Sequence, residues 1–167
     1  MVDNIVTNSW NDQTDLGKPI KECIFELKQA YPKYAPYIVA YWYCYKDMDA
    51  GEIPGIYDVM KDLKDRGYQL YCLTNWSHET FPIVKEVHAR LFELFDGIVV
   101  SGEEKMVKPN PEIYNLLLGR YNLNASESVF IDDRQRNVDG ANQVGIQGIL
   151  FTGSNNLKEQ LAHLSIL

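Results

Sequence analysis

The chain has 167 residues, of which 46% are hydrophobic, 12% aromatic and 23% charged. This is the balance of a globular domain long enough to bury a core without staples, and it excludes disordered, collagen-like and disulfide-scaffold classes. Sixteen Lys and Arg against 23 Asp and Glu give a net charge of −7, an acidic surface that argues against nucleic acid as a partner. No apolar run reaches the roughly 18 residues of a membrane span and no secretory leader opens the chain, so the expected compartment is the cytoplasm, with no membrane partner. Cys23, Cys44 and Cys72 are odd in number and lack CxxC spacing, which indicates neither a disulfide framework nor a zinc site.

Residues 1–11 are polar and without period, and read as loop. From Asp12 the spacing turns helical: Leu16, Ile20, Cys23, Ile24, Leu27 and Tyr31 form one stripe. Pro19 is tolerated only in a first turn, so a helix is expected from about Lys18 to Tyr31-Pro32. A second helix follows Pro36, with Ile38, Tyr41, Trp42 and Tyr45 on one side, and the two should pair. Pro54-Gly55 marks a boundary. Beyond it come a helix with Ile56, Val59, Met60 and Leu63, a strand over 69–73, and a helix over 78–91. Then follow a strand over 97–100, a loop to Lys108, a helix over 112–121, a strand over 128–131, a helix over 137–143, a strand over 148–151 and a helix over 156–164. Strands alternating with helices predict a doubly wound parallel sheet, Rossmann-like, in an α/β unit over 54–167, preceded by a small helical unit over 1–53.

In such a sheet ligands collect beyond the carboxyl ends of the strands. The polar residues standing there are Thr74-Asn75, Ser101 followed by Lys108, Asp132-Asp133 and Thr152-Gly153. Two adjacent carboxylates raise each other's pKa unless a cation neutralises them, and Mg²⁺ is suited to that role because it takes carboxylate and water oxygens and leaves room for a phosphate. Each residue also has a plainer reading. Asp132-Asp133 could open a turn and cap the next helix, Lys108 could be a solvated charge, and Thr74-Asn75 could cap a helix starting near His78. As a set they fit a phosphate cradle with a lysine point charge. His78, His88 and His163 are dispersed and read as surface or packing residues; the run Tyr41-Trp42-Tyr43-Cys44-Tyr45 reads as core, interface or pocket wall.

The strings LYCLTNWS (70–77), GIVVSGEEKMVKPNPEIY (97–114) and VFIDDRQRNVDGANQVGI (129–146) resemble motifs II, III and IV of the haloacid dehalogenase-like (HAD) hydrolase superfamily, in the branch with a small helical cap after the first strand. The intervals of 33 residues from Asn75 to Lys108 and 24 from Lys108 to Asp132 fit that branch. The resemblance implies that Thr74 and Asn75 bind phosphate, that Lys108 steadies both the nucleophile and the phosphate, that Asp132 and Asp133 hold Mg²⁺, and that Asn137 supports their loop. It further implies a Mg²⁺-dependent phosphatase acting on a small phosphorylated metabolite through an aspartyl-phosphate. The acidic pair favours this over the alternative of a 2-haloacid dehalogenase-type hydrolase.

The family's first motif, a hydrophobic strand running into Asp-x-Asp, has no counterpart here; near the start only Asp3 stands, followed by Asn4 and Ile5. By the resemblance that strand lies at the centre of the sheet, between those ending at Thr74 and Asp132, so the expectation is a sheet lacking its first, central strand and a chain inactive as written. Edge pairing or strand exchange between copies, giving a homo-oligomer, is one way to close such a gap. The reading from a different class is a non-catalytic anion-binding or interaction protein on the same fold.

Overall fold

The computed structural model describes residues 8–167. The opening seven residues, Asp3 among them, lie outside the described residues. By its contacts the chain divides into two units: one takes the described residues up to Ala50 with Thr74–Val87 and Val100–Val107, and the other takes Gly51–Leu73, His88–Val99 and Lys108–Leu167.

The first unit is helical. Helix α1 (Asn8–Asp15) was not expected at its start, where the sequence is polar and reads as loop. Its partly buried residues show that it is held by packing rather than by an apolar stripe of its own, with Thr14 only 2% exposed. Helices α2 (Ile20–Ala30) and α3 (Ala35–Tyr43) follow. Pro19 precedes α2, and Tyr31-Pro32 ends it. The two helices pack through Leu27 and Ile38, with Trp10, Ile24, Tyr34 and Tyr41 around them. Short 3₁₀ turns, Pro32–Tyr34 and Tyr45–Met48, flank α3 on either side.

The second unit carries the sheet. Helix α4 (Ile56–Asp65) leads to strand β1 (Tyr71–Thr74), whose last residue falls in the first unit. The helix expected from His78 instead begins at Phe81, as α5 (Phe81–Val87), and is followed by a separate turn, α6 (Ala89–Phe92). Pro82 is the cause: it is acceptable in a first turn but would lose a hydrogen bond and clash in the interior of a helix begun at His78. Strand β2 (Gly97–Val100) stands where expected, and a short helix α7 (Ser101–Glu104) occupies part of the predicted loop. Helix α8 (Pro111–Tyr121), strand β3 (Val129–Asp132), helix α9 (Gln135–Gln143), strand β4 (Gln147–Leu150) and helix α10 (Ser154–His163) complete the alternation.

The strands form two two-stranded sheets, β1 with β2 and β3 with β4. The latter pair is parallel, with Val129 opposite Gln147 and Asp132 opposite Leu150. Among the described residues no strand pairs with the remaining edges of β1 and β3, so the doubly wound sheet is present as two halves. The core beneath them is aliphatic: Val59 and Leu63 from α4, Ile149 from β4, and Leu157 and Leu161 from α10, with Leu70, Val129 and Ile131 packed against them. Burying side chains of this kind is worth about 1.5–3 kcal/mol each, and this sets where the strand ends fall.

At the approach to β1 and β2 a reciprocal pair fixes the entry of both. The Asp96 amide donates to the Leu70 carbonyl at 2.7 Å, and the Leu70 amide donates to Asp96 Oδ2 at 2.8 Å. Lys64 reaches the same carboxylate at 2.8 Å.

Candidate functional site

The polar centre of the second unit is built on Lys108. This residue is only 8% exposed, and its ammonium donates to the backbone carbonyl of Leu73 at 2.7 Å and to Asp132 Oδ2 at 2.7 Å. Leu73 lies on β1 and Asp132 closes β3, so one side chain joins the carboxyl ends of the two half-sheets. The ammonium also stands 5.3 Å from the centre of the Phe130 ring, within cation–π range. The solvated-charge reading of Lys108 is therefore set aside.

Asp132 is 8% exposed, and both of its oxygens accept hydrogen bonds. Its Oδ1 accepts from the Arg134 amide and from Asn137 Nδ2, both at 2.9 Å, while Oδ2 takes Lys108. Burial alone would push this carboxyl up, but the Lys108 charge and the three hydrogen bonds outweigh it and hold the group below the ordinary aspartate range. Asn137 is 4% exposed and its Oδ1 has no hydrogen-bond partner. Tyr114, fully buried, donates its hydroxyl to the Asn137 carbonyl at 2.7 Å. Burial, with the Asp132 charge adding, pushes the Tyr114 phenol well above its usual range, so it acts as a donor at any ordinary pH.

The two carboxylates of the acidic pair are thus unlike. Asp133, one residue past the strand, is exposed. Successive side chains at a strand end point to opposite sides, so Asp132 turns inward to the lysine and Asp133 outward. The reading of the pair as a simple helix cap fails for Asp133: the residue preceding α9 is Arg134, with no side-chain cap.

The Lys108 loop is held in place by α9. A Cβ on Gly140 would fall 2.5 Å from the Pro109 carbonyl oxygen and 3.1 Å from the Tyr114 hydroxyl, so only glycine lets the helix lie this close. The peptide from Lys108 to Pro109 is cis.

Thr74 closes β1 and Asn75 follows it, both partly buried, and they belong to the first unit. They do not cap a helix at His78, since none begins there. The segment after them is anchored by Ser101, which is 0% exposed. Its Oγ accepts from the Trp76 amide at 2.9 Å, and the Gly102 amide donates to the Trp76 carbonyl at 3.0 Å. A Cβ on Gly102 would fall 2.6 Å from the His78 amide nitrogen, so this approach also needs glycine. The sequence reading named Ser101 as a strand-end polar residue; its place is in holding the loop that carries Asn75. Tyr114 and Gly140 were not singled out.

Among the described residues no group of three or more His, Cys, Asp or Glu side chains is gathered as a metal site. Cys72, on β1, is partly buried, and burial pushes its thiol up to about 11 against the opposing Lys108 charge.

An α/β fold with parallel strands and a polar lysine–carboxylate centre at its strand ends defines the Rossmann-like class. The chain belongs to the haloacid dehalogenase-like hydrolases, whose family model matches residues 11–145. It is 36% identical over 96 residues to the sesquiterpene phosphatase astK of Aspergillus oryzae, covering 58% of this chain and 48% of that protein. It is 29% identical over 116 residues to the ribulose-1,5-bisphosphate 5-phosphatase of Halopiger xanaduensis, covering 69% and 48%. The chain therefore spans about half the length of these curated relatives. A HAD family enzyme of Bacteroides thetaiotaomicron shares the fold, with a TM-score of 0.76 at 20% identity over 92% of this chain and 78% of that one. A variant of the same enzyme holding magnesium and inorganic phosphate matches at 26% identity with a TM-score of 0.52, over 57% and 51%.

Proposed function

We propose that this chain carries the phosphate- and metal-handling part of a Mg²⁺-dependent phosphomonoesterase acting on a small phosphorylated metabolite through an aspartyl-phosphate. The observation that carries the reading is the buried Lys108–Asp132 pair at the strand ends, beside an exposed Asp133. It is supported by phosphatases among the relatives and by a related enzyme solved with magnesium and phosphate.

The donors present suit a hard divalent cation. Asp133 offers a carboxylate open to solvent, Asp132 the one lone pair of Oδ2 that Lys108 leaves, and Asn137 Oδ1 is a buried oxygen without a partner; Mg²⁺ needs few protein oxygens when water and phosphate supply the rest. Asp132 and Asp133 would hold it, and when bound it would offset the charge of the phosphate facing an attacking carboxylate. Lys108 holds a positive charge at the strand ends, where it steadies both a nucleophilic carboxylate and phosphate oxygens. Thr74 and Asn75 supply hydroxyl and amide hydrogen bonds to the phosphate. Asn137, itself held by Tyr114, keeps Asp132 turned toward Lys108.

The attacking carboxylate is not Asp132, whose oxygens are engaged by Lys108, Asn137 and the Arg134 amide. The four described strands end at Thr74, Val100, Asp132 and Leu150, and none of them presents a free Asp. The 167-residue chain alone should therefore bind inorganic phosphate in a Mg²⁺-dependent way, read by calorimetry, but show negligible turnover of p-nitrophenyl phosphate. Robust turnover abolished by Asp133→Asn would overturn the assignment of roles. Phosphate binding indifferent to Mg²⁺ and to Asp133→Asn would favour the anion-binding reading instead. No described helix is long and apolar enough to cross a membrane.

A further inference from the structure

The surface of α3 carries a feature that the phosphate chemistry does not use. From Tyr34 to Tyr45 twelve consecutive residues include no charged side chain, in a protein of net charge −7. One face of α3 packs inward through Ile38 and Trp42. The other is open: Tyr37 is 63% exposed and Tyr43 is 81% exposed, with Pro36, Ala40 and Cys44 exposed beside them. Positions 37, 40 and 43/44 recur at helical steps of three and four, so these side chains form one stripe, with small Ala40 between two large tyrosines.

The stripe is symmetric about Ala40. Tyr37 lies three residues before it and Tyr43 three after; Lys33 lies seven before and Asp47 seven after, both exposed. Lys33 stands in the 3₁₀ turn before α3 and Asp47 in the one after it, so the two charges flank the stripe at equal sequence distances from Ala40. A two-fold contact places residue i of one copy against residue j of the other, and j against i.

We propose that this face pairs with a second copy of the chain, α3 against α3, antiparallel, with the two-fold axis at Ala40. In that register each Tyr37 meets the partner's Tyr43, the two Ala40 side chains let the helices approach, and each Lys33 meets the partner's Asp47. Two copies with a net charge of −7 repel over most of their surface, and this uncharged stripe, with Lys33 at one end and Lys46-Asp47 at the other, is where that repulsion is least. A single helix pair is at the small end of interface areas, so the dimer is weak and depends on concentration.

Sedimentation velocity of the 167-residue chain over a concentration series should show a monomer–dimer equilibrium, at least tenfold weaker for Ala40→Glu, which sets two like charges on the axis. Lys33→Glu and Asp47→Lys should each weaken it several-fold, and the double variant should recover it. Ala40→Cys should give disulfide-linked dimers on mild oxidation, whereas native Cys44, which faces Pro36 in this register, should not. All these positions are exposed, and circular dichroism of each variant checks that it folds. A chain monomeric at every concentration, a dimer indifferent to Ala40→Glu, or a double charge swap that does not recover dimerisation would overturn the proposal.

Discussion

The ammonium of Lys108 sits 2.7 Å from the main-chain oxygen of Leu73 on β1, a strand that among the described residues pairs only with β2. A side chain thereby satisfies an acceptor that a sheet would ordinarily pair with an amide, and it does so while neutralising Asp132. Three separate elements, β1, β3 and the loop before α8, depend on this one cation.

Lys108→Met should destabilise the chain by about 3–5 kcal/mol, because it leaves the Asp132 charge buried without its partner. Urea unfolding followed by tryptophan fluorescence measures this. Adding Asp132→Asn to that variant should return part of the loss, since the uncompensated charge is then gone; strict additivity would mean that the pair is not coupled.

Tyr114→Phe removes only a hydroxyl, and because the Asn137 carbonyl keeps its helical bond within α9 the cost is that of one net hydrogen bond, about 0.5–1.5 kcal/mol. A midpoint unchanged in urea would show that the Tyr114 hydroxyl carries no net stability.

Asp96 links stability to pH. Burial would raise its carboxyl, yet the Lys64 hydrogen bond, the Leu70 amide and the Lys64 charge hold it below the ordinary range. A folded-state pKa below the unfolded one means that the unfolded chain binds the proton more readily. The stabilisation is therefore complete above about pH 4, the unfolded value, and is lost as pH falls through the folded one. Asp96→Asn should flatten the acid limb of a thermal-stability profile; the same slope in both proteins would refute the link.

Gly140→Ala should cost about 1–3 kcal/mol through overpacking against the Pro109 carbonyl. Thermal unfolding reads this loss, and Gly119→Ala on α8 serves as the contrast, because its Cβ would meet nothing within 4 Å.

Asp133→Asn should leave stability within about 0.5 kcal/mol, as expected for an exposed side chain, while abolishing Mg²⁺-induced chemical-shift changes from the end of β3 to the start of α9, residues 132–137. Retained shifts would move the metal elsewhere.

Much of the site could be read from residue order: Lys108 and the acidic pair stood at strand ends because β2 and β3 are short β-branched runs with clear boundaries. The unlike fates of Asp132 and Asp133 were not foreseen, although strand alternation contains them. Helix α1 escaped because its residues lack an apolar stripe and tertiary packing holds them. Helix α5 starts three residues after His78 because Pro82 fits only a first helical turn. Tyr114 and Gly140 were missed because a hydroxyl reaching a carbonyl 23 residues away, and a helix resting on a proline, are relations that no local pattern encodes.

The glycine contact between α9 and Pro109 also bears on how this centre could be moved to another scaffold. Lys108 takes its height from a helix that begins 27 residues later, and that helix in turn carries Asn137 and rests on α8 through Tyr114. The transferable unit is therefore the whole stretch 108–143, and a graft of the lysine loop alone would arrive without the surface that aims it.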